Sequence, residues 1–251
     1  MIPQVPEYVL MLEPALRFFV AAIGLGLIWI GAARMKAPAR TRYGTAAALS
    51  AAFIAWFAAA QYLALENVYQ ATPDSSLPTV LLGLLIPLIA AVVSVRLSPS
   101  IASLVSAIPL PWIVAAQIYR VGGGIFLMLW AGGRMPWQFA LPAGIGDVVT
   151  GAAAVVVAIL LAQNAAGARR AAYAWCLFGI ADLVVAVTMG GLTSPGLLHL
   201  LAHDAPNVLI TSYPLVMVPT FAVPLALMLH GIVLWRLRQP SGAPAGQLAL
   251  A

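Results

Sequence analysis

Three charged residues of this chain, Arg120, Asp147 and Asp182, fall inside apolar stretches, and they are where chemistry is to be sought. An ionised side chain inside a membrane span is costly, so it faces a cavity or pairs with another group. Arg120 follows Trp112 by eight residues, and Asp182 follows Ala172 by ten. If both stretches are helices entering from the same face, a rise of about 1.5 Å per residue sets the two about 12 and 15 Å deep, level to within one turn. An ion pair between them is expected. It would either lock two helices together or supply a site where Arg120 binds an anionic group and a carboxylate moves a proton. Asp147 stands in Gly144-Ile145-Gly146-Asp147, read here as the first turn of a helix near the outer face. There, free N–H groups and the helix dipole stabilise a carboxylate, which would otherwise mark the mouth of an outward cavity. The preceding Leu141-Pro142-Ala143-Gly144 reads as a helix breaker. Gln117 and His230 complete the set expected to line a ligand or ion pathway.

Two further patterns bear on this set. Gly122, Gly123 and Gly124 directly follow Arg120. Glycine in lipid permits close helix packing; the alternative is a broken helix whose freed backbone groups line a site. Pro219 and Pro224 pose the same choice between packing kink and hinge. The string Gly144 to Val149 resembles Gly179 to Val184, 35 residues on, but six positions in so biased a composition carry little weight. Separately, Ser194-Pro195 resembles a helix start, which would set His199 and His203 at i, i+4 beside Asp204. That spacing suits a metal. No third histidine or catalytic Glu is near, so no metal and no other cofactor is expected, and His199, His203 and Asp204 are a weak metal candidate.

What positions these residues is a membrane. Of the 251 residues, 63% are hydrophobic and 8% charged, against about a quarter charged in soluble domains. The apolar runs are continuous and close to the ~20 residues a spanning helix needs, without the alternation of a barrel strand. The chain therefore reads as an all-α polytopic membrane bundle with the lipid bilayer as its main partner. Seven spans are expected: Ala15 to Ala33, Thr45 to Leu65, Thr79 to Val95, Trp112 to Trp130, Ile145 to Leu161, Ala172 to Gly191 and Leu215 to Trp235. Val9 to Glu13 would lie along the membrane surface. Ile101 to Pro109 is too short to cross and reads as interfacial or re-entrant. One transmembrane domain over 1–238 and a disordered cytoplasmic tail over 239–251 follow. With the N-terminus outside, nine of the twelve basic residues face the cytoplasm: Arg34, Lys36, Arg40, Arg42, Arg96, Arg169, Arg170, Arg236 and Arg238. That asymmetry sets the N-terminus outside and the C-terminus inside.

Several function classes drop out. The net charge of +5 comes from basic residues at the ends of apolar runs, not from a stripe that would grip nucleic acid. The single cysteine, Cys176, excludes an intrachain disulfide and a Cys-based zinc site. The first residues carry Glu7 and Glu13 and lack a basic n-region, so no cleavable leader is expected. The only lysine, Lys36, lies in a loop, so no retinal Schiff base forms in the last span. No histidine precedes His199, which removes the seven-helix metal hydrolases with a histidine on an early span. A small-solute or ion transporter or channel-like protein in a bacterial inner membrane is the leading expectation. The alternatives are a membrane-embedded enzyme acting on a lipid or hydrophobic substrate, and an accessory or assembly subunit. A deep outer pocket joining Asp147 to His199 and His203 would favour the enzyme.

Overall fold

The computed structural model describes residues 5–239, whose regular structure is all helical, with no strand among them. Seven helices are long and apolar enough to cross a membrane, and the chain is a multi-pass membrane protein. The first two spans are α1 (Glu7–Arg34) and α2 (Ala39–Leu65), and the third is α3 (Thr79–Leu97). A short helix, α4 (Pro99–Ala107), follows. The fourth span, Leu110–Ala131, is composite: α5 (Leu110–Ala116), a 3₁₀ stretch (Gln117–Gly123) and α6 (Gly124–Ala131). Then come α7 (Trp137–Ala162) and α8 (Ala168–Thr193). The seventh span opens with a π-helical turn (Val218–Ala222) and continues as α9 (Val223–Arg238).

The helices run longer than hydropathy alone predicts, for identifiable reasons. The Val9 to Glu13 stretch expected on the membrane surface is part of α1, because it has an inward face: Val9, Glu13 and Arg17 are all buried. Pro142 sits inside α7 and does not break it. Proline there removes one backbone bond, and in lipid the chain has no water to turn to, so the helix remains the best solution for every other amide. Ile101 to Pro109 falls largely in α4. At nine residues α4 is about 14 Å long, too short to cross, and the span count stays at seven. The seventh span begins at Val218 rather than Leu215. The tail expected beyond Gln239 lies outside the described residues.

Basic side chains close the helix ends on the side expected to be cytoplasmic, where carbonyls lack intrahelical partners. Arg42 donates to the Ala32 and Ala33 carbonyls at the end of α1. Arg236 on α9 donates to the carbonyls of Ser106 (2.6 Å) and Ile108 (2.9 Å), and so pins the end of α4. Arg169 donates to the Leu237 carbonyl. The centre of the bundle is α7, which packs on α8 and on all three parts of the fourth span. By contrast, only 11% and 6% of the most apolar stretches of α2 and α3 are buried, so these two helices lie at the lipid-facing edge. Phe221 on the π-turn ties α2 in, with Phe53, Trp56 and Phe57 around it at ring-centroid distances of 4.8 to 5.5 Å.

Candidate functional site: a charged cluster at mid-membrane

The fourth span changes its winding where it carries Arg120. A 3₁₀ helix has three residues per turn, so side chains at i, i+3 and i+6 line up. Gln117, Arg120 and Gly123 are in that register, and all three are buried. An α-helix would have fanned them over an arc of about 120°. At Gly123 a side chain would run into Asp147. The 3₁₀ stretch of the fourth span is tied to the seventh span at the π-turn and at the start of α9. Gln117 Nε2 donates to the Ala226 carbonyl at 3.0 Å, and the Tyr119 hydroxyl donates to the Ala222 carbonyl at 3.1 Å.

Arg120 is the hub of what these segments enclose. Its Nε donates to Asp147 Oδ1 at 2.7 Å, and one terminal nitrogen donates to Asp182 Oδ2. The other terminal nitrogen donates to the Gly179 carbonyl at 3.3 Å and to His230 Nε2 at 3.1 Å. A guanidinium only donates, so His230 Nε2 must offer a lone pair. The ring is therefore neutral, with its proton on Nδ1, which lies 3.3 Å from Cys176 Sγ. The thiol in turn donates to the His230 carbonyl. Trp175 packs its ring 4.7 Å from the imidazole.

Depth explains why the cluster assembles. Asp147 is the eleventh residue of α7 and Asp182 the fifteenth of α8. The two helices are antiparallel and of equal length. At about 1.5 Å per residue, the carboxylates lie about 15 and 17 Å from the same end, near the middle of the membrane. Asp147 is therefore not in the first turn of its helix, and the helix-dipole reading of it is corrected. Glycines make the space. A Cβ at Gly146 would overlap the Asp182 carboxylate, and one at Gly179 would lie 2.5 Å from His230 Nε2. The two similar strings thus both supply an aspartate to Arg120 and a small residue beside the cluster.

The three ionisable members are not equally enclosed. The Arg120 and Asp182 side chains are 2% and 6% exposed, and that of Asp147 is 15% exposed. Asp147 lines a cavity of about 120 Å³ on the side expected to be outer, walled by α3 and α8 and bounded by the 69–79 and 194–198 segments. It also lines a smaller space of about 40 Å³ toward α1. Glu13 borders that smaller space. Glu13 and Arg17 form a buried pair 3.8 Å apart, and Arg17 also donates to the Tyr213 hydroxyl. Sequence reasoning passed over this pair, whose signal was an acid and a base at i, i+4 where an apolar run begins.

The histidine loop departs from expectation. Residues 194–208 form no helix, so the i, i+4 register of His199 and His203 has no helical basis. Their rings nonetheless pack together at a tilt of 47°, with centroids 4.6 Å apart. Among the described residues no group of three His, Cys, Asp or Glu side chains is arranged to hold a metal, and neither histidine lines the cavity that reaches Asp147.

Residues 77–238 match a family described as a domain of unknown function (DUF8737). The matched stretch runs from α3 to α9 and contains Gln117, Arg120, Asp147, Asp182 and His230, while α1 and α2 precede it. No curated protein and no solved structure matches the chain.

Proposed function

The chain belongs to this family of domains of unknown function, and on that premise we propose that it is a small membrane carrier whose coupling site is the Arg120–Asp147–Asp182 cluster. The observation that carries the reading is a charge count. Two carboxylates share one guanidinium, and the adjacent His230 is neutral. With both acids ionised the cluster holds one uncompensated negative charge at mid-membrane, where charge is costly. A proton or a cation on the carboxylate pair brings it to zero. Asp147 faces the larger cavity, so that proton or cation has a route. Irregular winding in the fourth and seventh spans supports the same reading, since discontinuous helices at mid-membrane are where carriers build sites. Gln117 and His230 position the hub: Gln117 ties the 3₁₀ stretch to α9, and His230 occupies the remaining terminal nitrogen of Arg120. A bacterial inner membrane fits the Ala-rich spans and short loops.

A structural lock is the second reading. It draws on the engagement of every nitrogen of Arg120 within the bundle. The enzyme reading loses its support, because the cavity that reaches Asp147 is not lined by His199 or His203.

The test uses Val187, which lines the larger cavity on α8 about 9 Å below the end of that helix. Val187→Cys is introduced into the full chain, whose one native cysteine, Cys176, is buried. Labelling by a membrane-impermeant maleimide is followed in oriented vesicles. A carrier exposes this position in one state and closes it in another. Any thiol labels faster as pH rises because the thiolate is the nucleophile, so the rate is divided by that of a cysteine placed in the exposed 70–76 loop. The normalised rate should change with pH, and Asp147→Asn should abolish the change. A normalised rate independent of pH in both proteins would leave the structural lock.

A further inference from the structure

The larger cavity is chemically one-sided. Its described lining is apolar and aromatic, with Tyr69, Phe126, Phe139 and Leu183 among the contributors. The Phe126 and Phe139 rings meet edge to face at 5.2 Å, which fixes the inner wall. Three of the hydroxyls on the rim are already engaged: Thr79, Ser194 and Thr211 each donate to a nearby backbone carbonyl. Among the described lining residues Asp147 is the one that carries a charge. Its Oδ1 accepts from Arg120, while Oδ2 accepts from no described residue and lies against Gly123. A visitor to this cavity therefore meets hydrocarbon, aromatic rings, the Tyr69 hydroxyl and the edge of one carboxylate.

We infer that the cavity binds a lipophilic monocation, with its apolar body against the rings and its positive centre at the Asp147 carboxylate. This rests on the carrier reading above and names its substrate class. An anion would add a second negative charge to a cluster that already has one too many. A neutral ligand would leave that charge unbalanced. A monocation brings the sum to zero, and the faces of Tyr69, Phe126 and Phe139 add cation–π attraction. The cation and the proton are alternatives at the same carboxylate pair. When the cation arrives, the proton on the pair departs through the same cavity, and the cluster stays neutral on both sides of the exchange.

The probe is benzyltrimethylammonium, which has an aromatic body and a permanent charge and carries no proton of its own. Phenylmethanesulfonate, of similar shape and opposite charge, is the control. Binding to the detergent-solubilised full chain is measured by equilibrium dialysis against empty micelles, across a pH series. The expected result is saturable binding of the cation and none of the sulfonate. Where the proton competes, affinity should fall by about tenfold for each unit the pH is lowered. Asp147→Asn should remove the binding while the protein retains its thermal midpoint to within a few degrees. Val187→Trp, which fills the cavity and leaves the cluster untouched, should remove it too. The inference is overturned if the cation fails to bind at any pH, or binds Asp147→Asn as well as the parent. Saturable binding that depends on Asp147 but not on pH would uphold the cation site and defeat proton coupling. No binding, with a protonated carboxyl still detected in the cluster, would leave the coupling reading standing and reject the cation.

Discussion

Removing Arg120 and removing one of its two aspartates should have very different costs, and the geometry says by how much. Each carboxylate–guanidinium pair, with charges about 4 Å apart, attracts by about 4 kcal/mol at an effective dielectric constant of about 20, and two carboxylates about 5 Å apart repel by about 3 kcal/mol. Asp147→Asn or Asp182→Asn loses one attraction and the one repulsion, a net of about 1 kcal/mol. If the pair already holds a proton, the loss is that of one hydrogen bond, again about 1 kcal/mol. Arg120→Gln instead leaves two carboxylates facing each other. Stripping a buried charge of its partner costs about 3–5 kcal/mol in soluble proteins, less where water or bilayer deformation relieves it. The double variant Asp147→Asn/Asp182→Asn leaves a lone guanidinium and should cost about as much as Arg120→Gln, well above the sum of its single changes. Adding Arg120→Gln to that double variant removes the last charge and should recover most of the loss. The assay is thermal unfolding of the detergent-solubilised protein across the five variants. Equal costs for Arg120→Gln and Asp182→Asn, or strict additivity in the double variant, would refute the charge count and the proposals built on it.

Other expectations follow from the same structure. A reporter fused after Arg238 should be cytoplasmic and one inserted between Gln70 and Ser76 should lie outside; a C-terminal reporter on the outer side would reverse the orientation drawn from the basic residues. Gly146→Ala and Gly179→Ala drive a methyl into Asp182 and His230, and should each lower stability by about 1–3 kcal/mol in thermal unfolding. Gly26→Ala, whose methyl meets nothing within 4 Å, should be neutral or mildly stabilising. Purified protein should hold well below one equivalent of zinc by elemental analysis, and stoichiometric metal lost in His199→Ala/His203→Ala would make the histidine loop a real site.

The number of spans and the rough depth of Arg120 and Asp182 were legible because each rests on one periodic quantity, the helical rise against the bilayer thickness. The position of Asp147 was not. Pro142 and the neighbouring glycines look like an interruption by rules learned in water, where a broken helix finds solvent for its amides. In lipid the helix continues through them, and Asp147 moves from a first turn to mid-membrane. The 3₁₀ winding that aims Gln117 and Arg120 had a trace in Gly122 to Gly124, but glycine alone does not distinguish close packing from a change of pitch. His199 and His203 failed in the other sense. Ser194-Pro195 has helix-start chemistry, yet Ser194 donates to the Asn207 carbonyl and the segment turns back as a loop. Glu13 and Arg17 were hidden by being at the margin of an apolar run, where charged residues usually meet solvent; here both point inward.

The central claim is that the carboxylate pair on Arg120 holds one exchangeable proton, and infrared difference spectroscopy of the full chain tests it most directly. A protonated carboxyl has a C=O stretch well separated from that of a carboxylate. Glu13 and the other carboxyls contribute titrating bands of their own, so the wild type is compared with the double variant Asp147→Asn/Asp182→Asn through the same pH titration. The wild type should show one additional carboxyl band disappearing as pH rises. Identical titrating carboxyl bands in the two proteins would contradict the account.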